Sequence, residues 1–221
     1  MEKLLLVGAG GFGRVVLEHA LGIYDCAFLD DGDAVVVDGI PVIGKTSDMA
    51  SFYPEYKLLL VTIGNNKLRE RLYQEATIIG YTFPNIIHPS AYISPHAHIG
   101  SGCVILNNAV LQNNAKCGDG CILNPGVELH HDSTIGSYCL IYTNSVVRSL
   151  TSVGDRVWMG SNVTVSTSTK VPDDAVINDG TVCKTEEFLL CASERAQRDQ
   201  KLLTRVASSC PESTQLVCFS L

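Results

Sequence analysis

From Ile87 to Cys183 every sixth residue is apolar: Ile87, Ile93, Ile99, Ile105, Leu111, Cys117 and onward without a break, seventeen positions with no polar side chain among them. A step of six cannot follow the face of an α-helix, which turns every 3.6 residues, but it fits a short strand followed by a corner. Two residues before these positions the side chains are compact, as at Ala91, Ala97, Cys103, Ala109, Cys121 and Ser133. A slower beat rides on the first: Gly100, Gly118, Gly136 and Gly154, then Pro172, fall eighteen residues apart. Three strand-and-corner units therefore close one coil of a triangular parallel β-helix, and stacked coils bury one continuous core. A β-sandwich would keep such a register over about a hundred residues only by coincidence.

The first 82 residues follow another rule. KLLLVG, CAFLDD and KLLLVTIG read as strands, RVVLEHAL and KLRERLYQEATIIG as helices, and their alternation predicts a parallel βαβ unit. The expected organisation is thus an α/β Rossmann-like domain over residues 1–82, a β-helix over 83–186, and a tail over 187–221 with a partly helical stretch. An apolar fraction of 46% suffices for a packed core. A net charge of −7 argues against sequence-independent nucleic-acid binding, which needs a basic footprint. No apolar run approaches the roughly 18 residues of a membrane span, and no leader pattern opens the chain, so a cytoplasmic location is expected. The nine cysteines form no CxxC pair and read as reduced thiols. Cys103, Cys121 and Cys139 recur at the coil length and should stack as small core fillers, with no histidine or carboxylate in their column to suggest a metal.

Two places carry chemistry. In LLLVGAGGFG a strand empties into Gly8, Gly10 and Gly13, a turn whose backbone can approach a pyrophosphate at a helix N-terminus. Asp30 and Asp31, about twenty residues on, stand where carboxylates can accept hydrogen bonds from ribose hydroxyls. Nicotinamide dinucleotides use the same turn, but a full dinucleotide fold has two mononucleotide halves and here the repeat begins too early for the second. The other place is His131 followed by Asp132, just past the inward Leu129. Histidine serves as a base near neutral pH, and an adjacent carboxylate can orient it and raise its basicity. An exposed polar corner is the bland alternative. His130 stands one residue before the base, as a solvent-facing neighbour or a substrate contact.

The stretches VGAGGFGRVVLE, FLDD, DGIPVIG, TIGNNKLR and NPGVELHHDSTIG, in this order on a hexapeptide scaffold, resemble the bacterial sugar acetyltransferases of the PglD/NeuD type. The resemblance covers residue 3 to about 184. It implies a left-handed helix, a homotrimer with active sites between subunits, and acetyl-CoA as acyl donor, with no metal. It gives His131 the role of general base and Asp132 that of its support. It assigns the nucleotide part of a UDP-sugar to Gly11, Phe12, Gly13, Asp30, Asp31, Gly64 and Asn65, and the acetyl-CoA contacts to Leu140, Ser161 and Asp179. Two positions depart from the family: Phe12 stands for the histidine of a GGHG turn, and Leu140 for a histidine that contacts acetyl-CoA. The implied activity is N-acetylation of a nucleotide-linked amino sugar in bacterial glycan synthesis. The alternatives are O-acetylation of sialic acid or another sugar, and a nucleotide-sugar-binding protein of weak catalytic power.

Overall fold

The computed structural model describes residues 1–184, of which Met1–Cys183 form one compact unit. The tail over 187–221 and its expected helical stretch lie outside the described residues.

The chain opens with β1 (Glu2–Val7), α1 (Gly11–Ala20), β2 (Tyr24–Leu29), β3 (Val36–Val37), β4 (Ile40–Gly44), a 3-10 turn (Thr46–Phe52), β5 (Leu58–Val61) and α2 (Asn66–Ile79). The sheet order is β3-β4-β2-β1-β5, parallel throughout except for the hairpin partner β3. Leu4 to Val7 are all fully buried in the central strand β1. This is why that segment reads as an unbroken apolar run rather than an alternating one. Asn65 caps α2 by accepting from Leu68 N at 3.0 Å, and Gly80 ends it with φ 111°.

From Ile86–Ile87 to Val182–Cys183 follow seventeen two-residue strands, and the second residue of each is one of the seventeen six-beat positions. They form three parallel sheets, of six, five and six strands, in which each strand pairs with the one eighteen residues on, as Val110 does with Glu128. The architecture is a left-handed parallel β-helix. From Ile105 onward all the six-beat residues are buried. Ile87, Ile93 and Ile99 are not, because they belong to the first coil and no earlier coil covers them.

Between strands the chain turns through a left-handed residue, every sixth position from Gly102 to Gly180 having positive φ. Most of these are not glycines: Asn108, Asp132 and Leu150 adopt it at 58°, 59° and 61°. The glycines on the eighteen-residue beat have a different cause. A Cβ on Gly118 would stand 2.6 Å from the backbone of Gly136 and Ser137 in the next coil. Cys103, Cys121 and Cys139 are fully buried and stacked, each Sγ donating weakly to a carbonyl, of Gly118, Gly136 and Gly154, at 3.1, 3.1 and 3.2 Å.

The α/β layer is locked to the coils by α2. Leu106, Ile122 and Leu140 share one apolar cluster with the sheet. Tyr73 accepts from Val61 N and donates to the Gly102 carbonyl. Arg69, fully buried, reaches the Gly120 carbonyl at 2.8 Å. Among the described residues no helix is long and apolar enough to cross a membrane.

Candidate active site

Adjacent strand residues point to opposite faces. The left-handed φ of 59° at Asp132 breaks that alternation and brings its carboxylate round to the histidine before it. His131 Nδ1 lies 2.9 Å from Asp132 Oδ2. Asn114, one coil earlier, donates from Nδ2 to Asp132 Oδ1 at 2.7 Å. These two bonds, the Asn114 one foremost, hold the Asp132 carboxyl below its usual range and keep it anionic. A carboxylate only accepts, so the neutral imidazole carries its proton on Nδ1 and Nε2 is the acceptor nitrogen. His131 N donates to Gln112 Oε1 at 3.0 Å, which ties the base to the coil below. The His131 side chain is 55% exposed, so its ring is open to an acceptor. His130 faces another partner, Glu128, at 3.2 Å.

A second site lies in the α/β layer. A cavity of about 360 Å³ is lined by Gly11, Phe12, Asp30, Asp31 and Gly64, together with Gly8, Gly10, Gly32, Thr46, Thr62 and Ile63. Asp30 uses one oxygen to receive Ala9 N and the other to receive Gly32 N, both at 2.8 Å, so it fixes the glycine turn. Asp31 receives Thr46 N and Oγ1 at 2.9 Å, and those bonds hold its carboxyl below the usual range. Lys45 Nζ spans the carbonyls of Asp31 and Gly32. Both carboxylates thus serve the cavity wall, a role their position at a strand end did not reveal.

The glycines of the turn divide by cause. Gly8 has φ 108° and Gly13 lies against the Gly8 carbonyl, so the fold itself requires both. At Gly10 and Gly11 an added Cβ would meet nothing within 4 Å. The fold does not require those two, and the space they leave opens into the cavity, as close backbone approach by a phosphate would demand.

Gly13 and Asn65 are not among the residues lining the cavity; Gly13 packs helix on strand, and Asn65 caps α2. Leu140 lies in the interior. It is 4% exposed, sits in the shared apolar cluster, and its Cδ2 would be 3.9 Å from a Cβ on Gly64. Its side chain packs the β-helix against the α/β layer at the cavity rim. Ser161 and Asp179 are brought together, Ser161 N donating to Asp179 Oδ1 at 2.6 Å on an exposed corner. Trp158 packs against Tyr142 with ring centroids 5.4 Å apart. Thr46 and Thr62 also line the cavity, and no motif in the sequence marks them. The only available signal was their place just past strand ends, where open α/β sheets form ligand crevices.

Residues 3–76 match the PglD N-terminal domain and residues 114–149 the bacterial transferase hexapeptide of six repeats. The chain is 32% identical over 115 residues, 48% of its length, to UDP-N-acetylbacillosamine N-acetyltransferase of Bacillus subtilis (strain 168). That match covers 52% of the relative, so the chain spans about half of it. The acetyltransferase domain of PglB from Neisseria gonorrhoeae FA1090 superposes with a TM-score of 0.80 at 34% identity, over 83% of this chain and 92% of that one. PerB from Caulobacter crescentus, solved with CoA and GDP-perosamine, gives 0.78 at 27% identity, over 83% and 89%.

Proposed function

The chain belongs to the PglD-type hexapeptide-repeat sugar acetyltransferases, and from that premise we propose that it moves an acetyl group from acetyl-CoA to the amino group of a nucleotide-linked amino sugar. The observation that carries this reading is the base: an exposed imidazole whose Nδ1 is held by an anionic carboxylate and whose Nε2 keeps its lone pair. The cavity beside Gly10 and Gly11 takes the nucleotide diphosphate, and the names of the Bacillus and Caulobacter relatives support the substrate class. UDP is the nucleotide we assign, on the resemblance of the turn.

In the reaction, Nε2 of His131 takes a proton from the acceptor amine as nitrogen attacks the thioester carbonyl. Asp132 stabilises the imidazolium that forms. The tetrahedral intermediate collapses, the C–S bond breaks, and the thiolate of CoA leaves and receives a proton. The exposed side of the base is completed, in this reading, by a neighbouring subunit of a homotrimer, and the reaction runs in the cytoplasm, where acetyl-CoA is available.

The test is release of free CoA thiol with a panel of UDP- and GDP-linked amino sugars and with sialic acid. His131→Ala is expected to lower kcat by about 10²- to 10⁴-fold while remaining folded. Near-normal turnover in that variant overturns the base assignment. Acetylation of hydroxyl acceptors alone favours O-transfer, and nucleotide-sugar binding without CoA release from any acceptor favours a binding protein.

A further inference from the structure

Ser149 lies eighteen residues after His131, and so beside it in the next coil, with Oγ 2.9 Å from His131 Nε2. The direction of this bond follows from the other side of the ring. Nδ1 faces an anionic carboxylate and must carry the proton, so Nε2 is the acceptor and the Ser149 hydroxyl is the donor. The atom that has to take the acceptor's proton is therefore already gripped by a side chain. With bonds on both ring nitrogens, the imidazole cannot flip without losing two contacts, and the broad two-fold torsion of a histidine ring is reduced to one setting.

Ser149 is itself fixed. Its carbonyl receives Ser168 N from the following coil at 3.2 Å, and Leu150 after it has φ 61°, matching Asp132 at 59° after His131. His131–Asp132 and Ser149–Leu150 are the same step of the same corner in successive coils. The hydroxyl projects from a rung of the helix rather than from a free loop, which suits a group that must hold another in place.

We propose that Ser149 is a positioning residue for the base. Its hydroxyl holds Nε2 with the lone pair directed along the corner edge and gives way to the substrate amine when that arrives. A hydroxyl can reverse its role, so the same oxygen then accepts from Nε2–H of the imidazolium. The proton stays there until it passes to the departing thiolate; the N–C bond has formed, the C–S bond has broken, and His131 is neutral again. This rests on the reading of His131 as general base.

The experiment compares full-length wild type with Ser149→Ala, Ser149→Thr and His131→Ala, using acetyl-CoA and the accepted amino-sugar nucleotide. Ser149→Ala is expected to lower kcat about 10- to 100-fold with both KM values little changed, and Ser149→Thr, which keeps the hydroxyl, to recover most of the loss. In ¹⁵N spectra of the imidazole, both proteins should show the Nδ1–H form of His131, and Ser149→Ala should shift the Nε2 signal away from that of a hydrogen-bonded acceptor. An unchanged kcat and an unshifted Nε2 signal in Ser149→Ala, with His131→Ala inactive, overturn the role of Ser149 and leave the base assignment standing. Activity in His131→Ala defeats the base assignment instead. A KM rise at constant kcat would put the hydroxyl on the substrate and overturn the proposal. So would an acetyl group found on Ser149 after incubation with acetyl-CoA alone, since the same layout serves nucleophilic serines.

Discussion

Gly13, in the first turn of α1, packs so closely on Gly8 that a Cβ placed on it would stand 2.0 Å from the Gly8 carbonyl oxygen. That oxygen cannot move aside, because Thr62 Oγ1 donates to it at 2.6 Å and Gly8 N is bonded to Leu29. Gly13→Ala should therefore fail to give a stably folded protein, whereas Gly11→Ala, in open space, should stay within about 0.5 kcal/mol of wild type. For the latter the expected effect is on ligand: roughly tenfold weaker binding of the nucleotide sugar, read by calorimetric titration. Equal stability of the two variants would contradict the division of the glycines by cause.

Arg69 supplies a second prediction. Its guanidinium is fully buried, with no carboxylate partner among the described residues, and it donates to the carbonyls of Ile63, Gly120, Tyr138 and Cys139 and to Asn66 Oδ1. Burial lowers its basicity, yet four backbone carbonyls from both parts of the molecule depend on it. Arg69→Met keeps much of the volume and removes every donor. It should cost roughly 3–5 kcal/mol, measured as a lowered midpoint in denaturant.

A third concerns acid. The Asp31 carboxyl is held below its usual range chiefly by Thr46, so its contribution is full above the ordinary aspartate range near about pH 4 and is lost as pH falls through the depressed folded value. Thr46→Val removes the hydroxyl bond but keeps the backbone one. The two proteins should differ in urea midpoint at neutral pH and converge as pH drops below about 4. A gap that stays constant down to acid would mean the hydroxyl acts through packing alone.

The repeat was legible because a six-residue step admits little besides a strand and a corner, and each of the seventeen positions became the second residue of a strand. Which outward faces would be covered was not legible. Leu140 points away from the lumen next to the inward Ile141, and only the α/β layer folding back onto it makes it a core residue. Asp30 was placed at its strand end by the βαβ pattern, but its partners Ala9 and Gly32 come from two separate turns. Ser149 was hidden for a different reason. The eighteen-residue beat that aligned the cysteines also aligns His131 with it, yet a serine carries no apolar signal to betray a column.

Selection for a new acceptor on such a scaffold would not edit a contiguous block of sequence. The groups that hold His131 and Asp132 come from the coils on either side, Gln112 and Asn114 before and Ser149 after. Adaptive changes around the base would therefore appear as a comb, with teeth near residues 113, 131 and 149 and ordinary drift between them. A library that randomised residues 125–137 alone would leave the jaws of the site untouched.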